Sequence, residues 1–433
     1  MRNIALSLSS LIVSLVLLVI GNAFLTSLLG LRLSMSGFSS GVIGGILVFY
    51  SLGFVAGSLY ASRVVSTVGH IRAFAVFAAV LSVVIMLHPL AMTVIFWAGL
   101  RAMAGFAMAG LMIVVESWFS RAATNKNRGS LFAVYQVVFF LSTAGGQVLI
   151  RVGDPTGFAP FSIAAILVTL ALVPLSMSRR ESPPIEPSER MPLRQLYTVS
   201  PVGVVGALVG GILITSFYSL GPVFANEVGL EQNQISNFMA IAIIAAMILA
   251  WPVGRLCDLF DRNRIMLVAA TVAAVVALVA ALLASTSTLV LLATTAVFIG
   301  LSATLYPISV AVTNDLMESH QITAASTALL LSYGVGSCLG PLLSAFFMDV
   351  MGPRGFFISG ALVLGGLILF LVPLRQQPTV SVTDQEQFYT ATPEAILGLA
   401  ELDPRAPDID ESDDPDSYLG EPEEAPLKAE PHM

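Results

Sequence analysis

Apolar runs of about 20 residues recur twelve times along this chain, separated by short polar stretches. A run of that length is what a helix needs to cross a hydrocarbon core about 30 Å thick. No soluble domain can bury twelve such runs. The charges agree: only 11% of the 433 residues are Asp, Glu, Lys or Arg, against about 25% in a soluble domain. These features exclude a soluble enzyme, a nucleic-acid binder and a disordered chain. They predict an all-α polytopic membrane protein.

The predicted spans are residues 5–29, 39–61, 73–89, 92–115, 130–150 and 159–177, then 201–225, 234–253, 265–284, 287–311, 323–348 and 355–374. The third is interrupted near His88 and Pro89. The first is not expected to be a cleavable signal, because its apolar core continues through Phe24 and Leu29 without a small-x-small cleavage site. One set of loops carries 13 Lys and Arg and the other set only Arg32, Arg151 and Arg354. The basic side is therefore expected to be cytoplasmic, with both termini there, in the cell inner (plasma) membrane.

Residues 179–200 hold Pro183, Pro184, Pro187 and Pro192 among charges and are expected to link two bundles, 1–178 and 201–374. The bundles resemble each other in sequence. Gly37 to Arg72 and Gly229 to Arg264 are equally long, and at that offset Ser62 falls on Gly254, Gly69 on Asp261 and Arg72 on Arg264. A duplicated six-helix unit is the architecture of transporters whose halves rock about a central site. From residue 375 to 433 the character changes: 15 acids face 3 bases, whereas the preceding residues hold 12 acids and 17 bases. This acidic tail is expected to be disordered and cytoplasmic. The two cysteines, Cys257 and Cys338, form no disulfide or metal pattern.

The segment GRLCDLFDRNR, Gly254 to Arg264, places an aspartate at a helix end among arginines. Such a group can pair with the arginines or cap a facing helix N-terminus. The segment resembles the loop between spans two and three, and between eight and nine, of the major facilitator superfamily. Gly254, Leu256, Asp258, Arg262 and Arg264 match, and Asp261 stands where a second glycine is usual. In the first half the equivalent is SRVVSTVGHIR: Gly69 and Arg72 match, and Ser66 replaces the aspartate. The resemblance implies a fold of twelve transmembrane helices in two pseudo-symmetric six-helix bundles, the major facilitator fold, and makes these residues parts of a conformational gate. Glu116 and Asp315 close spans four and ten. They are read first as gate ion pairs, Glu116 with Arg63, Arg72 or Arg128, and second as proton carriers.

Arg101, with Gly105 one turn on, resembles the R-x-x-x-G motif of span four. A guanidinium inside the bilayer is costly and marks a functional site. It satisfies backbone carbonyls or a neighbouring polar helix, couples a proton or contacts an anionic substrate; the sequence leaves these three open. The intramembrane candidates for a central cavity are Asn22, Tyr50, Tyr135, Gln136, Gln147, Phe217, Tyr218, Asn237, Tyr306 and Tyr333. Tyr135 and Gln136 lead, because the fifth span lines the cavity in this superfamily. No acid lies in the middle of any span. In the fifth span AGG (144–146) is followed by Gln147 where the superfamily's antiporter motif has proline.

ESWFS at 116–120, NRG at 127–129, Gly221-Pro222 and LYP at 305–307 together resemble the YcaD-like branch. That resemblance covers about residues 5–374 and implies a permease, with no particular substrate. The expectation is a monomeric secondary transporter of a small molecule in the lipid bilayer, working by alternating access and coupled to protons. No catalytic residue, cofactor, metal or nucleic acid is expected. A transporter-fold sensor or scaffold that signals through the acidic tail is the alternative.

Overall fold

A computed structural model of the protein describes residues 2–122, 128–176, 191–283, 287–374, 385 and 388. Among them are twelve helices long and apolar enough to cross a membrane. The first six are α1 (Ser9–Met35), α2 (Ser40–Val68), α3 (His70–Leu90), α4 (Val94–Ser120), α5 (Gly129–Arg151) and α6 (Ala159–Ser176). The second six are α7 (Pro201–Glu227), α8 (Gln232–Leu259), α9 (Arg262–Leu283), α10 (Thr288–Asn314), α11 (Ile322–Met351) and α12 (Gly355–Leu374). Helix is the form these runs must take, because lipid offers no partner to a backbone N–H or C=O. Proline marks two places where the helical turn changes. At His88–Leu90, the end of α3, it tightens to a 3₁₀ turn around Pro89. In α6 it breaks at Ala171, where Pro174 can donate no N–H to the Leu170 carbonyl.

The two halves are built alike. Ser39 caps α2 by accepting from the Val42 N–H at 3.4 Å, and Glu231, 192 positions later, caps α8 in a capping box with Gln234. Gly37 and Gly229, at the same offset, turn the chain with φ of 79° and 84°. Within each half, α2 packs on α4 as α8 packs on α10, and α1 on α5 as α7 on α11. Between halves, α2 meets α11, α5 meets α8, and α1 meets α7. The outward faces carry exposed apolar side chains such as Val76, Trp251, Leu282 and Leu369. In water such a belt would aggregate; against lipid tails it is solvated.

The two motif segments read as loops from sequence are helical over most of their length. Helix α2 runs to Val68 and turns at Gly69, whose φ is 84°. Helix α8 runs to Leu259, Phe260 is extended, and Asp261 accepts the Arg264 N–H at 2.9 Å to start α9. Asp261 thus does with a side-chain cap what Gly69 does with a left-handed backbone. Of the linker, residues 179–190 lie outside the described residues. Its end forms the short helix Leu193–Val199, whose Leu196 is buried in the second half against Val204 and Leu329. The acidic tail lies outside the described residues apart from Gln385 and Phe388.

Candidate central cavity and its two ends

A cavity with an empty volume of about 1010 Å³, its open mouth included, lies at mid-depth between the halves. Helices α1, α2, α4 and α5 line it from one side and α7 and α11 from the other. Arg101 is its only charged residue among the described lining residues, which include no carboxylate. The rest of the wall is aromatic, aliphatic and hydroxyl-bearing: Tyr50, Phe54, Met108, Phe139, Tyr218 and Tyr333, with Ser51, Thr26, Thr143, Thr215 and Ser337.

Local packing explains how Arg101 is held. Gly105 lies against the Tyr50 carbonyl, at a spot that any Cβ would occupy, and Gly53 lies likewise against the Ala102 carbonyl. These two glycines bring α2 and α4 into backbone contact. The contact seats the Tyr50 ring 4.3 Å from the guanidinium carbon of Arg101, in cation–π geometry. Asn22 Oδ1 accepts the Tyr50 hydroxyl at 3.3 Å, tying α1 to the pair. Arg101 is 1% exposed, and among the described residues no group accepts from its buried Nε and Nη1. The ring therefore covers one face of the guanidinium while in-plane donors stay unsatisfied, at about 1–3 kcal/mol for each such group.

Of the candidates from sequence, Asn22, Tyr50, Arg101, Tyr218 and Tyr333 line this cavity. Tyr306 packs edge-on against Tyr333 at 5.2 Å and, with Phe217, lines a smaller cavity of about 460 Å³ beside it. Tyr135 and Gln136 are placed elsewhere. Tyr135 is fully buried against Phe119, and its hydroxyl donates to Glu116 Oε1 at 3.3 Å. Gln136 is buried and lines neither of these cavities. At that level the Tyr135 side chain is taken up by α4, so the cavity stripe of α5 begins one turn later, at Phe139 and Thr143. Gln147 accepts from the Ser27 hydroxyl at 2.6 Å, and its carbonyl accepts from Ser236 at 2.8 Å. It joins α5 to α1 and α8.

The described hydrogen bonds between the halves cluster at one end of the molecule. Ser40 donates to Glu227 at 2.7 Å, the Gly41 N–H to Asp349 at 2.9 Å, and Asn226 to Ser34 at 2.9 Å. Arg151 donates to Ser236 at 3.0 Å and to Asn237, and Gln232 to the carbonyls of Ile150 and Gly153. Apart from Asn237, read as a cavity residue, and Arg151, read as a loop charge, sequence reasoning passes over this seal. The signal that could find it is polar residues at the ends of equivalent helices that face each other across the repeat.

At the opposite end the motif residues divide. Arg262 and Asp315 form an ion pair at 2.5 Å with side chains 1% and 5% exposed, and Arg262 also donates to the Ala311 carbonyl. The pair joins α9 to α10 within one half; it does not cross between halves. Asp258, Arg264, Ser66 and Arg72 are exposed. Ser66 donates to the Arg63 carbonyl at 2.9 Å. Asp258 Oδ1 accepts the backbone N–H of Phe388 at 2.7 Å, and the Phe388 ring packs on Gly254.

Comparison with known proteins agrees with this architecture. The chain is 28% identical over 376 residues to an uncharacterized MFS-type transporter of Yersinia pestis (strain Pestoides F), covering 85% of this chain and 95% of that one. It is 29% identical over 382 residues to the uncharacterized MFS-type transporter YcaD of Escherichia coli O17:K52:H18, covering 86% and 96%. Among solved structures it superposes on the nucleoside transporter NupG with a TM-score of 0.67 at 15% identity, over 86% of this chain and 100% of that one. It also superposes on a D-xylose–proton symporter with a TM-score of 0.64 at 13% identity, over 87% and 98%. The family model described as Major Facilitator Superfamily matches residues 4–303 and 225–407. With spans, repeat and family match in agreement, the chain is a multi-pass membrane transporter that belongs to the Major Facilitator Superfamily.

Proposed function

We propose that the protein is a secondary transporter that moves a small molecule through the central cavity by alternating access. The observation that carries this reading is the placement of a mid-depth cavity between two like halves whose described hydrogen bonds to each other gather at one end. In a rocking mechanism the halves part at one end while they close at the other. The Lys and Arg bias assigns the bonded end to the outside and the motif end to the cytoplasm of a cell inner membrane. In this reading the structure is the inward-facing state. Asp258 and Arg264, with Ser66, Gly69 and Arg72, are the parts that meet when the cytoplasmic mouth shuts. Arg262 and Asp315 are a clamp that moves with the second half.

The driving force in this reading is a proton gradient. The cavity offers no carboxylate among its described lining, so the proton is assigned to Glu116, fully buried beneath the Tyr135 hydroxyl. Glu116→Gln is then expected to abolish the pH dependence of the fraction of molecules closed at the external end, read by spin-label distances in nanodiscs between about pH 5 and 8. A pH dependence unchanged from wild type contradicts the assignment.

In this reading Phe388 acts as a brake, because its backbone N–H occupies Asp258 Oδ1 and its ring covers Gly254. Phe388→Pro, which removes both the backbone N–H and the ring, is expected to raise the fraction of molecules open to the outside by a few-fold, without changing thermal stability. An unchanged fraction in that variant sinks the brake.

A further inference from the structure

We propose that the central cavity is selective for organic anions, holding the carboxylate of an aromatic monocarboxylic acid on Arg101. The assignment rests on the transport reading and names the class of molecule carried. Three observations converge. Arg101 is the one charged group among the described lining residues, and no carboxylate in that lining balances it. Its Nε and Nη1 are buried and have no acceptor among the described residues, because the Tyr50 ring takes a face of the guanidinium and satisfies none of its in-plane donors. The remaining wall, with Phe54, Phe139, Tyr218 and Tyr333, matches an aromatic body.

The charge logic decides the class. A neutral occupant would displace water from around a cation and leave it unpaired in an apolar cavity, and a cationic occupant would add repulsion. A single carboxylate cancels the charge and accepts from the idle donors. A second negative charge would find no partner among the described lining residues. Because Arg101 is 1% exposed, the anion reaches it when the Tyr50 ring turns aside, trading the cation–π contact for a charge-assisted hydrogen bond. Tyr50 is thereby the residue that distinguishes the empty cavity from the loaded one.

The test uses matched probes on the full-length protein in nanodiscs, with thermal stability as the readout. Indole-3-acetate is compared with indole-3-acetamide and tryptamine, and phenylacetate with phenylacetamide and phenethylamine. Each triple keeps the aromatic body and changes only the charge. At least one acid is expected to raise the Tm, with its amide and amine at least about tenfold weaker in apparent affinity. Arg101→Gln should remove the preference for acid over amide, and Arg101→Lys should keep part of it. If neither acid stabilises the wild-type protein, or if amides and amines stabilise it equally, the proposal is overturned; this arm needs no variant to fold. Retention of the acid preference in a folded Arg101→Gln protein also overturns it. The transport reading fails separately. A protein that binds acids on Arg101 but never exchanges which end is open contradicts transport, whereas one that alternates but ignores charge contradicts only the anion site.

Discussion

Asp315→Ala is expected to destabilise the protein by about 3–5 kcal/mol, the usual cost of leaving one partner of a buried ion pair behind. Arg262 is 1% exposed and reaches Asp315 at 2.5 Å, at the junction of α9 and α10. Removing the carboxylate leaves a buried guanidinium without the Asp315 counter-charge, where lipid and apolar side chains cannot solvate it. Thermal unfolding in one detergent, followed by tryptophan fluorescence, should show a drop in Tm of several degrees. Replacing both partners, as in Arg262→Met with Asp315→Leu, should recover much of it, because the pair's charges are then both gone. Asp258→Asn is the control: Asp258 is exposed, so its loss should leave Tm within error while slowing exchange between the two states. A Tm for Asp315→Ala equal to wild type would return this pair to the gate, as a contact formed only transiently.

The second large effect is expected at Gly105. An added methyl there would fall on the Tyr50 carbonyl, so Gly105→Ala must push α4 from α2. Overpacking of this kind costs about 1–3 kcal/mol. The same contact seats Tyr50 over Arg101 at 4.3 Å, so its loss also loosens the ring that the acid must displace. Binding of the acid probes should therefore strengthen by a few-fold where the variant folds. Gly99, on the same helix, has nothing within 4 Å of its would-be Cβ, so Gly99→Ala should be silent in both assays. Equal effects at the two glycines would contradict the close-approach account.

What the sequence makes legible follows from where its signals are strong. Twelve spans stand out because an apolar run of membrane length has few alternative forms. The repeat is visible because polar residues at loop positions recur in frame, as Gly37 and Gly229 do with matching left-handed turns. Arg101 stands out because a charge is conspicuous in an apolar helix. Tyr135 and Gln136 fall outside the cavity for a reason the sequence hides: a helix that is apolar on every side does not announce which face meets a neighbour. Tyr135 lies on the same stripe as Phe139 and Thr143, and only its contact with Phe119 and Glu116 of α4 takes it out of the cavity. The hydrogen-bonded seal is illegible for another reason. Ser34, Ser40, Asn226 and Gln232 look like ordinary helix-end polar residues until the two halves are set face to face.

In alternating access the two ends must open in opposition around the cavity. Spin labels at Ser36 and Asn233, exposed at the end sealed by hydrogen bonds, report one mouth, and labels at Thr67 and Leu259 report the other. Distances measured by double electron–electron resonance in nanodiscs should show two populations for each pair. The distance at the sealed end should lengthen as the one at the motif end shortens when Arg151→Ala and Asp349→Asn weaken the seal. A single fixed distance at both ends, or both distances lengthening together, would contradict alternating access.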